Sequence, residues 1–353
     1  MSAAMVIAID AMGGDHAPEM VIDGAALAHS RMPALRFQLF GDEARIQPLL
    51  ARHPRLRDGV EMRHAAHAIA PTDKPSQALR KSAQSSMRLA IEAVRDGQAG
   101  AVVSAGNTGA LMALARFVLK MQPGVDRPAM VSYFPTARGE SALLDLGANV
   151  ECDARNLVQF AILGAGFARS VLGVERPTVG LLNVGAEELK GHEEVRAAAQ
   201  VLRESKFGFD FHGFVEGDDI GAGTVDVVVT DGFTGNAVLK ATEGTAKLIS
   251  SFLGLAFRRS WVSMLGYALA KPALDSLRAK LDPRHYNGAL FLGLNGVVVK
   301  SHGGTDREGF ASAISVAADM ARGDFNERIH ADLDVFDHRS PAPPDAPPVK
   351  AAS

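Results

Sequence analysis

Cysteine is almost absent from this sequence, since Cys152 is the single one among 353 residues. One cysteine can build neither a disulfide framework nor a multi-cysteine metal site, which fits a reducing, cytoplasmic compartment. The patterns HExxH and CxxC are missing as well, so we expect no metal and no other cofactor. Cys152 follows Glu151 in a predicted loop, where it is either an inert small residue or a reactive thiol.

Strong net charge and long apolar runs are also missing. Lys and Arg total 37 against 40 Asp and Glu, a formal net charge of −3, which gives no electrostatic reason to expect nucleic-acid binding. No apolar run approaches the ~18 residues of a membrane-spanning helix. The first apolar stretch ends at Asp10 and has no basic region before it, unlike a signal peptide. We expect a cytoplasmic protein that could still associate peripherally with a membrane.

Short apolar runs alternate with helix-like stretches along the chain. Runs rich in Val, Ile and Leu with little polar alternation are typical of parallel strands that are covered on both faces. The alternation therefore predicts an α/β doubly wound, mostly parallel sheet. The predicted strands are Val6–Asp10, Phe37–Gly41, Ala101–Ala105, Ala142–Leu146, Thr178–Val184, Val225–Thr230 and Val297–Lys300. The predicted helices include Ser76–Arg95, Ala110–Lys120, Leu157–Leu172, Glu193–Glu204 and Asn236–Leu253.

The domain organisation follows from where the pattern stops. No linker divides residues 1–333, which predicts a single α/β/α catalytic domain, and residues 334–353 form a Pro/Ala-rich tail that we expect to be disordered. The segment GAGFAR at residues 164–169 nearly matches a dinucleotide-binding motif. It lies inside a helical pattern, with Arg169 in place of the third glycine, so it predicts close helix packing and not NAD binding.

Five of the predicted strands end in a polar or glycine-rich turn that leads into a helix. In an open α/β sheet, ligands bind beyond the carboxyl ends of the strands, so we expect all five turns to face one crevice. They span residues 10–16, 104–109, 183–190, 230–236 and 301–306.

Two of these turns, at residues 105–110 and 231–236, combine two glycines with Thr and Asn where a helix begins. Backbone N–H groups at a helix start have no intrahelical partner, and together with the helix dipole they form an anion site. The alternative for each turn is an ordinary capped connection, but two such turns favour phosphate as the ligand. The predicted phosphate-binding residues are Gly106, Asn107, Thr108, Gly109, Gly232, Thr234 and Gly235.

Three side chains beside these turns are candidates for chemistry. Lys190 follows a strand and could neutralise phosphate or the oxygen that turns anionic when a thioester is attacked, although it could equally be a surface lysine. His16 and His302 lie just past the first and last predicted strands. Each could act as an acid or base or bind an anion, and the alternatives are a hydrogen-bonded turn histidine and a helix cap.

Taken together, these segments resemble the phosphate acyltransferase (PlsX) family of bacterial phospholipid synthesis. The resemblance runs from about residue 6 to about residue 314, in the blocks IDAMGGDHAPEMVIDGA, SAGNTGALM, LLDLGANV, VGLLNVGAEELKG, VVVTDGFTGNAVLKATEG and SHGG. It implies a Rossmann-like fold related to isopropylmalate dehydrogenase and phosphotransacetylase, and a homodimer.

The resemblance also implies a reaction and its residues. An acyl group would pass from acyl carrier protein to inorganic phosphate, and a membrane glycerol-3-phosphate acyltransferase would consume the acyl phosphate. The lysine and asparagine that such families favour for catalysis correspond to Lys190 and Asn236. We add His16 as a residue that positions phosphate or protonates the leaving thiol.

A further stretch fits work on lipids. Between residues 248 and 284, apolar residues at helical spacing are interleaved with cations, which predicts a projecting amphipathic helical hairpin. Such a surface can bind an acyl chain and the acidic carrier protein, or lie on an anionic bilayer; the alternative is a hairpin packed in a dimer interface. The predicted contact residues are Arg258, Arg259, Trp261, Lys271 and Arg278.

Two other functions stay open at this point. A phosphotransacetylase-like enzyme would use the same fold and the same phosphate site, with acyl-CoA as the donor. A non-catalytic, membrane-recruited scaffold of lipid synthesis would keep the 248–281 region but would not need Lys190 or the two anion turns. Because both turns are intact, we favour the enzyme.

Overall fold

The computed structural model describes residues 5–282, 284–323 and 325–337. The strands are β1 (Val6–Asp10), β2 (Arg36–Gly41), β3 (Val60–His64), β4 (Ala101–Ser104), β5 (Ala129–Thr136), β6 (Gly139–Leu144), β7 (Thr178–Leu182), β8 (Asp210–Val215), β9 (Val227–Val229), β10 (Ala289–Leu292) and β11 (Val297–Lys300). All seven predicted strands are present, with ends shifted by up to three residues, and β3, β5, β8 and β10 were not predicted.

The helices alternate with these strands. They are α1 (Glu19–Arg31), α2 (Glu43–Leu50), α3 (Pro54–Arg57), α4 (Pro75–Lys81), α5 (Ser86–Arg95), α6 (Thr108–Leu119), α7 (Ala154–Phe167), α8 (Glu193–Glu204), α9 (Gly217–Ala222), α10 (Gly232–Phe257), α11 (Trp261–Leu281), α12 (Arg307–Arg322) and α13 (Phe325–Asp337). The single helix predicted at residues 76–95 is two helices, because α5 starts anew where the Ser85 side chain accepts a hydrogen bond from the Arg88 N–H.

All eleven strands form one sheet, in the order β3-β2-β1-β4-β11-β10-β5-β6-β9-β7-β8. The predicted α/β sheet is therefore confirmed, but it is mixed. Strands β1 to β4 and β11 run parallel to one another, and β10 pairs antiparallel with β11 and with β5. Strand β6 pairs antiparallel with β5, so β6, β9, β7 and β8 form a second parallel set that runs the opposite way.

Helices cover both faces of this sheet. The main core lies on one face, where α1, α7, α12 and α13 bury Phe160, Phe167 and Phe310 completely. On the other face, α5 and α6 pack over the first parallel set, while α9 and the first turns of α10 pack over the second. The first four residues of the GAGFAR segment end the buried helix α7, and the last two begin the π-helical turn Ala168–Leu172. A Cβ on Gly164 would be 2.6 Å from Val227 Cγ1, so the predicted close helix packing is confirmed.

The last helix continues to Asp337, so the first four residues that we assigned to the tail are helical. Residues 338–353 of that predicted tail lie outside the described residues.

Helices α10 and α11 form a long hairpin across the region predicted to be amphipathic. The two helices contact each other through the rings of Phe257 and Tyr267, whose centroids lie 5.2 Å apart. Many large apolar side chains of the hairpin are exposed, among them Phe252 at 60 %, Leu255 at 65 %, Trp261 at 77 % and Leu269 at 77 %. Within the described ranges, no helix combines the length and the apolar character that crossing a membrane requires.

Candidate active site

The two strand directions divide the five predicted turns into two clusters. We call the turns at residues 10–16, 104–109 and 300–306 cluster I, because they follow β1, β4 and β11 of the first parallel set. We call the segments at residues 145–149, 183–191 and 231–236 cluster II, because they follow β6, β7 and β9 of the second set. The expectation that all five turns face one crevice assumed a single strand direction, whereas the sheet reverses direction at β10, at β5 and at β6, so the two parallel sets run in opposite directions.

Cluster I is organised around the buried carboxyl group of Asp10, which is only 1 % exposed. Ser86 Oγ donates to Asp10 Oδ1 at 2.6 Å and Ser104 Oγ donates to Asp10 Oδ2 at 2.7 Å. Burial raises the pKa of Asp10, and these hydroxyl donors oppose the increase. A Cβ on Gly13 would lie 2.5 Å from Asp10 Oδ2, so only glycine lets the first turn pass over this carboxyl group.

Backbone bonds join the three turns of cluster I. The Asp15 N–H donates to the Gly303 carbonyl at 2.9 Å, and the Ser301 N–H donates to the Ser104 carbonyl at 2.9 Å. Lys300 adds a partly buried cation, with Nζ 3.5 Å from the Ala105 carbonyl oxygen and hydrogen-bonded to the Ser301 carbonyl. The three turns therefore form one unit rather than three separate loops.

The start of α6 keeps free donors within this unit. Asn107 caps the helix, because its Oδ1 accepts from the Ala110 N–H at 3.0 Å while its Nδ2 donates to the carbonyls of Pro71 and Asp73. These bonds make Asn107 a structural cap. The Gly106 N–H donates to Ser104 Oγ. Among the described residues, the N–H groups of Thr108 and Gly109 have no acceptor, which is the geometry that an anion can use.

The two histidines of cluster I are both exposed. The His302 N–H donates to Asn287 Oδ1 at 2.9 Å, and its Nδ1 accepts from the Gly304 N–H at 3.2 Å. His302 is therefore a hydrogen-bonded turn histidine, one of the two alternatives considered for it. His16 ends the first turn, two residues before the N-cap of α1.

Cluster II has a rigid base. The Asp145 carboxylate is buried and accepts from the N–H groups of Met130, Gly147, Ala148 and Asn149. The Gly232 N–H donates to the Asn149 carbonyl at 2.7 Å. A Cβ on Gly235 would lie only 1.9 Å from the Asp145 carbonyl oxygen, so the first turn of α10 rests directly on this loop.

The geometry of α10 argues against the predicted amide cradle at residues 231–236. Asp231 caps the helix, with Oδ1 accepting from the Thr234 N–H at 2.9 Å and Oδ2 from the Thr234 hydroxyl at 2.8 Å. The Gly235 N–H donates to the Asp231 carbonyl, and the Gly232 N–H is already engaged with Asn149. A carboxylate thus occupies the positive end of this helix, where phosphate was expected, and the predicted donors of Gly232, Thr234 and Gly235 are used within the chain.

The two predicted catalytic residues of cluster II are both exposed. Lys190 lies in the connection after β7 and Asn236 in the first turns of α10 after β9, and these two strands are neighbours. Gly147, whose φ of +124° favours glycine, brings the 145–149 segment next to Asn236, because a Cβ built on it would lie 3.6 Å from Asn236 Cβ. Asn183 Nδ2 fixes the lysine loop by donating to the carbonyls of Gly185 and Lys190 at 3.1 Å each.

The hairpin is attached to both clusters. Helix α10 begins in cluster II, while the chain after α11 is held at cluster I. There, Arg284 Nη1 lies 3.0 Å from Asp306 Oδ2, and Asn287 Nδ2 donates to Ser301 Oγ at 2.8 Å. Of the predicted hairpin contacts, Arg258 and Arg259 lie in the turn between the helices beside Trp261. Lys271 lies 2.6 Å from Asp275, and the side chain of Arg278 lies outside the described part of the chain.

Cys152 lies beside cluster II, where its Sγ contacts the Asn149 carbonyl at 3.9 Å. Burial, followed by the nearby carboxylates of Asp145 and Asp231, raises the pKa of the thiol to about 12. A thiol with this pKa is a poor nucleophile at neutral pH, which favours the inert alternative considered for Cys152.

Sequence reasoning missed Asp10, Lys300 and Asp145 as site residues. Each is a charged residue at or just past the end of an observed strand; Asp10 and Lys300 were counted as the last residues of predicted strands, and Asp145 lay inside the predicted strand Ala142–Leu146. A charge directly next to a fully buried run was the available signal, because such a charge needs partners when it folds inward.

Comparisons with known proteins agree with this architecture. The chain resembles a phosphotransacetylase from Streptococcus pyogenes with a TM-score of 0.60 and 16 % identity, over 91 % of this chain and 95 % of that one. It resembles 4-hydroxythreonine-4-phosphate dehydrogenase from Klebsiella pneumoniae with a TM-score of 0.55 and 16 % identity, over 91 % and 99 % of the two chains. At these identities the likeness shows the fold.

Sequence similarity is much closer. A family profile described as fatty acid synthesis protein matches residues 5–328. A phosphate acyltransferase of Rhodospirillum centenum is 60 % identical over 333 residues, 94 % of either chain. One of Paramagnetospirillum magneticum is 55 % identical over 334 residues, 95 % of either chain. This chain therefore belongs to the bacterial phosphate acyltransferase (PlsX) family of fatty acid and phospholipid synthesis.

Proposed function

We propose that this protein transfers a fatty acyl group from acyl carrier protein to inorganic phosphate and so makes acyl phosphate for phosphatidic acid synthesis. The observation that carries the proposal is the placement of Lys190 and Asn236. Both are exposed and follow neighbouring strands, above the rigid base that Asp145 holds. A cation and a carboxamide on adjacent connections can together stabilise the oxygen that becomes anionic during acyl transfer.

The reaction needs no nucleophile from the protein. A phosphate oxygen attacks the thioester carbonyl, the new C–O bond forms, and the C–S bond breaks when the tetrahedral intermediate collapses. The thiolate of the carrier leaves and takes up a proton. The high pKa of the Cys152 thiol is consistent with direct attack by phosphate, because it disfavours a covalent route through this cysteine.

In our proposal, cluster I binds phosphate and cluster II binds the thioester of the acyl carrier. The unengaged N–H groups of Thr108 and Gly109 suit phosphate at cluster I, and His16 lies on a turn of the same cluster. There it would position phosphate or protonate the leaving thiol. Lys190 and Asn236 in cluster II would then face the thioester carbonyl. Neighbouring strands twist by roughly 20–25°, so over the six steps from β1 to β9 the directions change by about 120–150°. This twist offsets most of the 180° difference in direction between the two parallel sets. It therefore supports a shared cleft, because the carboxyl ends of both sets then point toward similar sides.

The hairpin suits contact with a membrane better than delivery of the acyl chain. Arg258, the C-cap of α10, lies 22 residues beyond Asn236, which corresponds to about 33 Å at 1.5 Å per residue. The tip carries Arg258, Arg259 and the exposed Trp261, a combination that suits an anionic bilayer surface. In our proposal, a homodimer covers part of the remaining apolar surface. The tip brings the enzyme close to the membrane glycerol-3-phosphate acyltransferase that uses acyl phosphate.

The first experiment mixes the purified protein with acyl carrier protein carrying an acyl group and with inorganic phosphate. Hydroxylamine traps acyl phosphate as the hydroxamate, and a thiol reagent measures the released carrier. We expect hydroxamate that depends on both phosphate and protein. Product from acyl-CoA but not from the acyl carrier would replace the proposal with a phosphotransacetylase reaction. A folded protein that makes no product from either donor would overturn the proposal.

A further inference from the structure

Lys300 is a cation that the proposed mechanism does not use. It ends β11 and is partly buried, and its Nζ contacts the carbonyl oxygens of Ala105 and Ser301. These two carbonyls belong to two different turns of cluster I. The side chain therefore bridges the turn that leads into α6 and the turn that leads into α12.

The charges around Lys300 come from the third turn of the same cluster. Burial disfavours the charge of its ammonium group, and the nearby carboxyl groups of Asp15 and Asp10 favour that charge electrostatically. Asp10 in turn holds the hydroxyls of Ser86 on α5 and Ser104 on β4. The remaining titratable groups on the three turns are His16 and His302, which are exposed, and Asp306, which lies 3.0 Å from the guanidinium of Arg284.

A buried ammonium group needs partners that an ordinary apolar core does not provide. A partly buried lysine loses hydration, and it is retained where carboxylates and carbonyl oxygens replace the water. The two carbonyl contacts of Lys300 lie on the 104–109 and 300–306 turns, and the 10–16 turn joins the same unit through the bond from the Asp15 N–H to the Gly303 carbonyl. The side chain therefore links two of the turns directly, and its removal would take this donor from the Ala105 and Ser301 carbonyls and a nearby cation from Asp15 and Asp10.

We propose that Lys300 is a positioning residue for phosphate, whose ammonium group fixes the 104–109 turn against the 300–306 turn so that the start of α6 is presented to the substrate. The inference rests on the proposed function, because it assigns the phosphate end of that reaction to cluster I.

A pH dependence follows from the same surroundings. Burial lowers the pKa of Lys300 to about 8, against the opposing effect of Asp15 and Asp10. The ammonium group is therefore charged below about pH 8 and loses its charge as the pH rises through that value. The KM for phosphate should then increase above about pH 8. The ionisation of phosphate itself is the same for every variant and cancels in the ratio of variant to wild-type KM.

The test measures kcat and KM for phosphate between pH 6.5 and 9, with acyl carrier as the donor, for wild type, Lys300→Met and Lys300→Arg. We expect Lys300→Met to increase the KM for phosphate about tenfold at pH 7 with a smaller change in kcat. Lys300→Arg should restore KM at pH 7 to within a few-fold, and the increase above pH 8 should disappear because guanidinium stays charged. Lys206→Met, an exposed lysine outside both clusters, is the matched control.

A binding measurement without any acyl donor separates this inference from the proposed function. Inorganic phosphate should raise the unfolding temperature of the wild type and of Lys206→Met, and should raise that of Lys300→Met much less. If Lys300→Met folds poorly, the double variant Asp10→Asn with Lys300→Met removes both buried charges and takes its place. A folded Lys300→Met with wild-type KM and wild-type phosphate stabilisation would overturn the inference, and so would an unchanged alkaline increase in Lys300→Arg. A wild type that binds phosphate but makes no acyl phosphate would contradict the proposed function alone.

Discussion

The starts of α6 and α10 share a motif but use it differently. Both follow a strand, and both contain Gly-x-Thr-Gly, as Gly106–Gly109 in cluster I and Gly232–Gly235 in cluster II. In the first, the helix begins at the Thr and a neutral Asn caps it; in the second, it begins two residues earlier and Asp231 caps it. The same four-residue motif therefore leaves donors free in one place and engages them in the other.

This difference shows that the position and charge of the cap, more than the glycines, decide what a helix start can bind. A neutral cap leaves the positive end of α6 for a ligand, while the carboxylate of Asp231 already neutralises the end of α10. Because α10 begins early, Asn236 lies inside the helix and its side chain is exposed above the Asp145 loop. One turn is thus suited to hold an anion and the other to present a side chain.

The largest effect should come from removing the side chains that cluster II presents. We expect Lys190→Ala and Asn236→Ala each to lower kcat by about 10²–10³, the cost of losing one donor to a developing oxyanion. Lys206→Ala, another exposed lysine, should keep wild-type kinetics. Steady-state assays with acyl carrier and phosphate measure this. Wild-type kcat/KM for phosphate in Lys190→Ala would show that the residue has no role in the reaction.

A methyl group at the base of α10 should have the next largest effect. Gly235→Ala would place Cβ 1.9 Å from the Asp145 carbonyl oxygen, and the backbone must move, so we expect the free energy of unfolding to fall by about 3 kcal/mol. Gly244→Ala is the matched control, because no atom lies within 4 Å of its added Cβ. That substitution should raise the free energy of unfolding by about 0.5–1 kcal/mol. Urea denaturation measures both, and equal effects would contradict the close contact.

A charge change at each helix start should separate the two clusters more finely. Thr108→Glu adds a carboxylate at the first residue of α6, where Thr108 is exposed, and should increase the KM for phosphate about tenfold while α6 stays folded. Asp231→Asn keeps an acceptor at the cap of α10 and removes its charge, and we expect less than about a twofold change in that KM. The reverse pattern would place phosphate at cluster II.

The smallest effect should come from Cys152. Because the pKa of its thiol is raised to about 12, the thiolate is scarce at neutral pH, and alkylation by iodoacetamide in the folded protein should be much slower than after unfolding. Cys152→Ser should retain kcat to within about twofold, since direct attack by phosphate bypasses the thiol. Mass spectrometry measures the rate of alkylation, and the acyl-transfer assay measures kcat of Cys152→Ser. A large loss of kcat in Cys152→Ser would point to a covalent route.

Much of the fold could be predicted because buried parallel strands are continuous apolar runs. Of the strands that were missed, β10 (Ala289–Leu292) is apolar but only four residues long, and others lack that signal. Val60–His64 is an edge strand with polar residues at alternate positions, and Ala129–Thr136 carries Ser, Tyr and Thr in an antiparallel hairpin. The reversal of direction that this hairpin and β10 introduce cannot be seen in a list of strands, because it depends on which strands pair.

Site residues could be predicted where a short segment of sequence contains the relevant groups, and not where the contact joins residues far apart in the chain. Lys190, Asn236 and the start of α6 could be proposed from short segments, and their roles stay predictions until the assays are done. The contact of Lys300 with the Ala105 carbonyl joins residues 195 positions apart, and that of Ser86 with Asp10 joins residues 76 apart. Spacing along the chain carries no information on such pairs. The cap of α10 was misjudged because the helix starts before the residue pattern suggests.

The hairpin has one leg in each cluster, and this attachment has a mechanical consequence. Helix α10 grows out of the segment that carries Asn236, and the chain that returns from α11 is pinned to cluster I through Arg284 and Asn287. A force applied at the tip would therefore act on both clusters at once. Each helix of the hairpin is at least about 30 Å long, so a force on the tip is transmitted over that length to the two segments where, in our proposal, the substrates bind.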